Sequence, residues 1–338
     1  MSREIDWTSF LSLRKELPVV DVRSPLEYDE GHIHNAHNIP LLNNEERSAV
    51  GIDYKNNGRR SAIRTGFKLV GPRLNEIVDR AEELAQGQDL LVHCWRGGMR
   101  SANFAQFVGM AGVKSHVLAG GYKTYRTQAL HSFATSYQFI LLSGSTGSGK
   151  TDVLNQLQQE GEQVIDLEGL ANHKGSAFGA LNMPPQPTTE QFQNELFENL
   201  LRLDPSKPIW LEDESIAIGK IFLPSDFWNQ MRESPVIMLE VKKDVRVQRL
   251  VNDYGSSDKE QFLTAMSKIT KKLGGQNFIE GKKRLERDDM AGVMEILLTY
   301  YDKAYGNSME KRKPKKLGSV VWDGKDLKKI AKQLVATI

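Results

Sequence analysis

Two short apolar runs, each broken by a glycine-rich polar loop and followed by helical spacing, organise this chain. The first, Leu90-Leu91-Val92, runs into His93-Cys94-Trp95-Arg96-Gly97-Gly98-Met99-Arg100-Ser101, beyond which Phe104, Phe107 and Val108 share one helical face. The second, Phe139-Ile140-Leu141-Leu142, is continuous enough for a strand buried on both sides and leads into residues 144–151, with Val153, Leu154 and Leu157 behind it. Strand, loop and helix form the unit of a parallel sheet, and each loop ends on a helix N-terminus whose unpaired N–H groups attract an anion. Shorter versions recur: residues 18–23 predict a buried strand ahead of a helix capped by Ser24 and Pro25, and residues 164–168, 209–211 and 236–240 predict further strands. Residues 1–16 predict an amphipathic opening helix burying Phe10, Leu11 and Leu13, and residues 45–75 form a long connection suited to a lid or a substrate contact. From Asp258 the pattern turns helical, with a stripe of Met290, Val293, Ile296, Leu297, Tyr300 and Tyr301 ahead of an apolar strand at Val320-Val321-Trp322. The expected fold is α/β: a parallel-sheet domain over residues 1–130, a second over 137–255, and a basic helical part over 256–338 packed on the second.

Composition narrows the class. A chain of 338 residues with 39% hydrophobic and 26% charged residues suits two soluble domains. No apolar run approaches the roughly 18 residues of a membrane span. The polar start, Met-Ser-Arg-Glu-Ile-Asp, argues against a signal peptide, so the cytoplasm is the expected compartment. A single cysteine excludes intrachain disulfides, and no Cys/His cluster suggests structural zinc. His32, His34 and His37 lack a carboxylate or thiol companion and are read as local hydrogen-bonding groups. Net charge is only +2, yet residues 259–316 hold 14 Lys/Arg against 8 Asp/Glu. That imbalance suggests a polyanionic partner, nucleic acid first, with Lys271, Lys272, Lys282, Lys283 and Arg284 as contacts, joined by residues 311–316.

The two loops carry the candidate chemistry. Cys94 is the catalytic candidate, and Trp95, Arg96, Gly97, Gly98, Met99 and Arg100 form its anion loop. Convergent amides and arginine charge lower a thiol from about 8.5 into the ~3.5–7.5 range, whereas a merely structural thiol needs no such neighbours. Gly144, Ser145, Thr146, Gly147, Ser148, Gly149, Lys150 and Thr151 spell G-x4-G-K-T, a P-loop whose amides cradle a di- or triphosphate. Lys150 reaches the outer phosphates, and Thr151 is where Mg²⁺ would bind; no other metal is assigned. Asp213, behind the 209–211 strand, is preferred over the 236–240 strand end as the metal carboxylate. Asp166, His173 and Lys174 lie past a strand end, where α/β sheets bind ligands, and Arg246 and Arg249 are spaced to clamp a diphosphate or an RNA backbone.

Asp21-Val22-Arg23-x-Pro25-x-Glu27-Tyr28, Gly31-His32-Ile33, Ala36-x-Asn38-Ile39-Pro40 and residues 117–122 resemble the rhodanese superfamily across about residues 5–130, with Cys94 where that family carries its nucleophile. The resemblance implies a cysteine that accepts sulfur or selenium as a persulfide or selenopersulfide. The step from Cys94 to Arg100 is six rather than the five of many sulfur-transferring members, which is similar to the rhodanese-fold phosphatases. Such a loop surrounds a tetrahedral oxyanion, so either the substrate carries phosphate or the domain hydrolyses phosphate esters. A rhodanese-like domain followed by a P-loop domain resembles the tRNA 2-selenouridine synthase family. That resemblance implies a tRNA whose wobble base is 2-thiouridine, S-geranylation from geranyl diphosphate, and selenation from selenophosphate with Cys94 holding selenium. It implies no tightly bound cofactor, and the selenophosphate-producing enzyme as a further partner. Two other readings stay open here: an ATP-dependent tRNA thiolation enzyme, and a rhodanese-fold phosphatase fused to a nucleotide-binding domain.

Overall fold

Five short strands make the first sheet: β1 (Arg3–Ile5), β2 (Val19–Asp21), β3 (Ala36–Asn38), β4 (Leu90–His93) and β5 (Ser115–Leu118). Their order is β1-β5-β4-β2-β3 and every pairing is parallel, as expected of strands buried on both faces. This is a computed structural model, which describes residues 3–312 and 315–338, with 307–312 described by their backbone alone. The chain divides into two units, Met1–Ser132 and Phe133–Ile338. Around the first sheet lie α1 (Trp7–Leu13), α2 (Pro25–Glu30), α3 (Asn44–Val70), α4 (Leu74–Ala85), α5 (Met99–Met110) and α6 (Gly121–Phe133). Val92 of β4 packs with Phe104 and Val108 of α5 and Ile77 and Ala81 of α4, all at most 1% exposed. Each such side chain contributes on the order of 1.5–3 kcal/mol, and together they fix the loop between β4 and α5.

Two expectations for this unit need correction. Residues 1–16 are not one helix: Ile5 pairs with Leu118 in the sheet, and Asp6 accepts the Ser9 N–H at 2.8 Å, capping α1 there. Phe10 is buried as expected, but Leu11 and Leu13 are only half-buried. Residues 45–75 are not an open connection: α3 runs for 27 residues, opened by a reciprocal Asn43/Glu46 capping box and broken once, at Gly58.

The second sheet comprises β6 (Gln138–Ser143), β7 (Gln163–Ile165), β8 (Pro208–Glu212), and, beyond a small antiparallel hairpin of β9 (Ala217–Ile218) and β10 (Ile221–Phe222), β11 (Val236–Val241) and β12 (Lys316–Trp322). The order is β12-β11-β6-β8-β7, again all parallel. The helices are α7 (Lys150–Gln159), α8 (Leu167–Leu170), α9 (Thr189–Leu200), α10 (Ser225–Glu233), α11 (Lys243–Tyr254), α12 (Lys259–Ser267), α13 (Thr270–Leu273), α14 (Gly275–Glu286), α15 (Met290–Arg312) and α16 (Leu327–Val335). The strand expected over 164–168 stops at Ile165, because the Asp166 carboxylate accepts the Gly169 N–H and caps α8.

The C-terminal residues divide between two cores. Val320 and Trp322 of β12 and Ile330, Ala331 and Leu334 of α16 share a core with Ile140, Leu154 and Trp210, so they complete the P-loop sheet. Helices α12 to α15 build a separate core in which Phe262, Met266, Leu285, Val293 and Leu298 meet Phe178, Leu250 and Tyr254. Of the basic residues 311–316, Arg312 ends α15 and Lys316 starts β12, while Lys313 and Pro314 lie outside the described residues. Among the described residues no helix is long and apolar enough to cross a membrane.

Candidate functional site

Cys94 follows β4 directly and its Sγ sits 3.2 Å from Ser101 Oγ, on the first turn of α5. The residue is only 3% exposed. Burial pushes the thiol up, but the Ser101 hydroxyl, the N–H groups of Ser101 and Arg96, and the charge of Arg100 outweigh it, leaving the thiol below its ordinary value. The amides and charge around the sulfur therefore favour its ionised form. Trp95 and Met99, 37% and 44% exposed, form its rim, and Arg96 is exposed. Ser101 closes the motif, and the sequence signal for its role is a hydroxyl on the helical turn that faces back toward the cysteine.

Arg100 departs from expectation. Its two terminal nitrogens engage both oxygens of Glu27, so its fork is not open to an incoming anion, and it acts on Cys94 through charge. Beneath the loop, Asp21 takes the Nε and Nη2 of Arg23, whose guanidinium lies 3.9 Å from the Tyr122 ring centroid. His93 is wholly buried, and burial, only partly offset by Asp21, holds it down at about 4. Among the described residues neither ring nitrogen makes a hydrogen bond, although Asp21 Oδ2 lies 3.8 Å from Nε2, and a ring this weakly basic is packing rather than a base for the thiol.

The 117–122 motif serves as the seat of this loop. Tyr122 N–H donates to Cys94 O at 2.8 Å and Lys123 N–H to Trp95 O at 3.0 Å. A Cβ on Gly121, at φ +59°, would lie 2.3 Å from Cys94 O and 2.5 Å from the Gly97 nitrogen. Gly121→Ala therefore combines left-handed strain with a backbone clash, and is expected to cost roughly 2–5 kcal/mol. A thermal melt of the variant checks this; an unchanged midpoint would mean that the loop does not rest on this turn.

The P-loop lies between β6 and α7 and lines a cavity of about 800 Å³ with Asp166, Glu168, Lys174, Asp213 and Glu214. Gly149, at φ +78°, is enclosed by Arg249 and Trp322, which leaves no room for a side chain there. Lys150 is half-buried; desolvation pulls its pKa down, but the neighbouring carboxyls, Glu168 first, outweigh this and raise it above its ordinary value. Thr151 Oγ1 is 3.5 Å from Glu168 Oε2. Asp213, at the end of β8 beside β6, accepts from Ser143 Oγ, which also shares a hydrogen bond with the Tyr305 hydroxyl, both at 2.7 Å. Tyr254, Tyr300, Tyr301 and Trp228 line the same cavity, so a stripe read from sequence as core also gives part of the site an aromatic wall. Among the described residues no three His, Cys, Asp or Glu side chains could hold a metal ion. The donors present are hard oxygens, which fit a Mg²⁺ that takes the rest of its shell from water and a ligand phosphate.

Glu214 is pushed up to about 8 by burial and by the neighbouring Glu168, against the pull of Lys150. A carboxyl raised this way contributes stability that is complete below its ordinary 4.5 and is lost as pH rises through about 8. Glu214→Gln is expected to flatten the fall of the melting temperature across that window. A variant whose melting profile matched the parent's throughout would place the titration elsewhere.

Several expected contacts are engaged otherwise. His173, 7% exposed, lies outside the cavity against Gly179 and Gly219, and burial lowers its pKa, so it is no phosphate ligand. Lys174 does line the cavity, 3.8 Å from Asp253. Arg246 and Arg249 do not clamp jointly. Arg246 pairs with both oxygens of Asp302 at 2.7 and 2.8 Å and reaches Thr146 O, bracing the P-loop. Arg249 pairs with Asp152 and lies over Trp322, at the cavity wall. Lys271, Lys272, Lys282 and Lys283 are exposed, whereas Arg284 is tied to Glu280 and Asp289.

Comparison with known proteins accounts for both units in this order. Residues 7–128 match the family model of the rhodanese-like domain, and residues 137–334 match that of the tRNA 2-selenouridine synthase AAA domain. The chain is 31% identical to the tRNA 2-selenouridine synthase of Nitrosomonas europaea, over 88% of this chain and 90% of that protein. It is 36% identical to the one from Shewanella sp. (strain ANA-3), over 91% and 92%, and 35% identical to that of Marinobacter nauticus, over 90% and 92%. With both domains matched in order and relatives covered over nearly their whole length, the chain belongs to the tRNA 2-selenouridine synthase family.

Proposed function

We propose that the protein converts 2-thiouridine at the tRNA wobble position to 2-selenouridine in two stages, S-geranylation from geranyl diphosphate and then selenation from selenophosphate through Cys94. What carries this reading is the pairing, in one chain of this family, of an amide-ringed low-pKa thiol with a P-loop cavity that has an aromatic wall. A ligand with an anionic head and an apolar tail suits that cavity. In the first stage the thiocarbonyl sulfur attacks C1 of the geranyl group, the C–O bond breaks, and the base gives up its N3 proton. Lys150 and the P-loop amides take the charge that develops on the departing diphosphate. Tyr254, Tyr300 and Tyr301 offer ring faces to the prenyl chain and to positive charge at the allylic carbon. Mg²⁺, when bound by Thr151 and Asp213, would add Lewis-acid charge at the diphosphate. In the second stage the selenium of selenophosphate forms the C–Se bond at C2 while the C–S bond breaks and the geranylthio group leaves as the thiol. The Cys94 thiolate then takes the phosphoryl group from selenium, water releases it as phosphate and N3 regains its proton, so no oxidant is needed.

The test is incubation of the protein with thiolated tRNA, geranyl diphosphate and selenophosphate, followed by nucleoside mass spectrometry. The expected products are geranylthio-uridine without selenophosphate and selenouridine with it. ATP-dependent thiolation with neither product would favour an adenylating enzyme. Phosphate-ester hydrolysis lost in Cys94→Ser, with no change in tRNA, would favour a phosphatase.

A further inference from the structure

Between Tyr54 and Asn75 the chain carries six cations, Lys55, Arg59, Arg60, Arg64, Lys68 and Arg73, and no carboxylate. Arg73 is held by Glu46 at 2.7 Å, while the other five make no ion pair among the described residues. Beyond the break at Gly58, Arg60, Arg64, Phe67 and Lys68 follow the i, i+4, i+7, i+8 spacing of one helical face. All four are exposed, and Phe67 is 58% exposed although it lies among cations. The inward side of the same segment is supplied by Ala62 and Val70, so Phe67 is not part of the core. The break is braced: Asp53 accepts from Asn57, Ser61 and Thr65, which spends the nearest acid within the helix. The face also reaches the thiol loop, since Arg59 Nη2 lies 4.0 Å from Met99 Sδ on the loop's rim.

We propose that this face of α3 is the RNA-docking surface of the Cys94 site. Phosphates of a single strand lie on Arg60, Arg64 and Lys68, an unpaired base stacks on Phe67, and the strand leads past Arg59 to the rim formed by Met99 and Trp95. The inference rests on the reading of Cys94 as acting on a tRNA base. Cations free of carboxylate partners, held on a braced helix around an exposed ring, match the two halves of a nucleotide: charge for the phosphate and a π-face for the base. A solvated helix of ordinary kind alternates its charges, as α14 does with Glu280 and Glu286 among its lysines. The RNA contact expected at Lys271, Lys272, Lys282 and Lys283 thus has a competitor with cleaner charge, next to the nucleophile.

The test titrates a tRNA anticodon stem-loop onto the full chain, onto Arg60→Ala/Arg64→Ala/Lys68→Ala, and onto Phe67→Ala at several salt concentrations. Removing three phosphate contacts is expected to weaken binding by about 10–100-fold and to make the log–log salt slope shallower by about 2, at roughly 0.7 per contact on single strands. Phe67→Ala should weaken binding by roughly 5–100-fold with the slope unchanged, as loss of stacking does. All four positions are exposed, so the melting temperature should hold in both variants. Unaltered affinity and slope in both would overturn the proposal. So would loss of RNA only in Lys271→Ala/Lys272→Ala/Lys282→Ala/Lys283→Ala, which would leave the Cys94 reading standing. RNA bound through α3 without any geranylated or selenated product would remove that reading instead and keep the surface.

Discussion

Cys94→Ser is expected to lower selenation by at least about 10³-fold while S-geranylated tRNA accumulates. Serine keeps the size of the side chain and the hydrogen bond toward Ser101, so the loop should retain its shape. What is lost is the polarisable, readily ionised atom that the amides of Arg96 and Ser101 and the charge of Arg100 stabilise. An alkoxide in the same place would demand far more stabilisation than these groups supply. The first stage, assigned to the P-loop cavity, should continue, and mass spectrometry of the tRNA then shows the geranylthio base as the end product. Loss of geranylation together with selenation would contradict separate chemistry at Cys94 and Lys150. Selenation at the parent rate would remove Cys94 from the reaction altogether.

The second large effect concerns Lys150. Lys150→Ala is expected to cut geranyl transfer by on the order of 10²–10³-fold, the usual result of removing one preorganised group from a site of developing negative charge. Its ammonium lies among Glu168, Glu214 and Glu212, so deletion also removes the cation that favours the ionised form of Glu214. Burial and the charges of Asp166 and Glu168 already push Glu212 well above the usual carboxylate range, and removal of a cation raises such neighbours further. Supplied with tRNA that already carries the geranylthio group, the variant should selenate at close to the parent rate. Unchanged geranyl transfer from the diphosphate would show that the P-loop serves another ligand.

Much of the architecture could be read in advance because its signals are local. A strand, a glycine loop and a helix follow one another within some twenty residues at both Cys94 and Lys150, and the periodicity on either side states which face is buried. What escaped depends on partners far along the chain. Arg100 reads as a free anion contact until Glu27, 73 positions away, is folded against it. Arg246 and Arg249 share a spacing that suits a clamp, yet Asp302 and Asp152 take one each. His173 reads as a ligand because it lies with Lys174 past a strand end, whereas Gly179 and the distant Gly219 let the backbone close over its ring. Tyr300 and Tyr301 read as core because a helical stripe does not say whether it faces a packed interior or a cavity. In residues 45–75 the helical periodicity is interrupted in its middle by Gly58, so this helix is less sharply marked in the sequence than those behind the two loops.

The seat of the P-loop has a consequence for the order in which the two sites mature. The Cys94 loop is closed by hydrogen bonds from Tyr122 and Lys123, which belong to the first unit. Gly149, by contrast, lies against Trp322; the sheet is completed by β12, which ends 173 positions later, and its core by α16. A chain folding from its N-terminus as it is synthesised can therefore present a finished thiol site while the phosphate cradle still lacks one edge. During that interval β11 exposes an unpaired edge beside an apolar core, the kind of surface on which nascent chains pair wrongly. Chaperone dependence should then fall on the second unit, and substitutions at Val320, Trp322 or Leu334 should lower the yield of soluble protein more than comparable changes around Cys94.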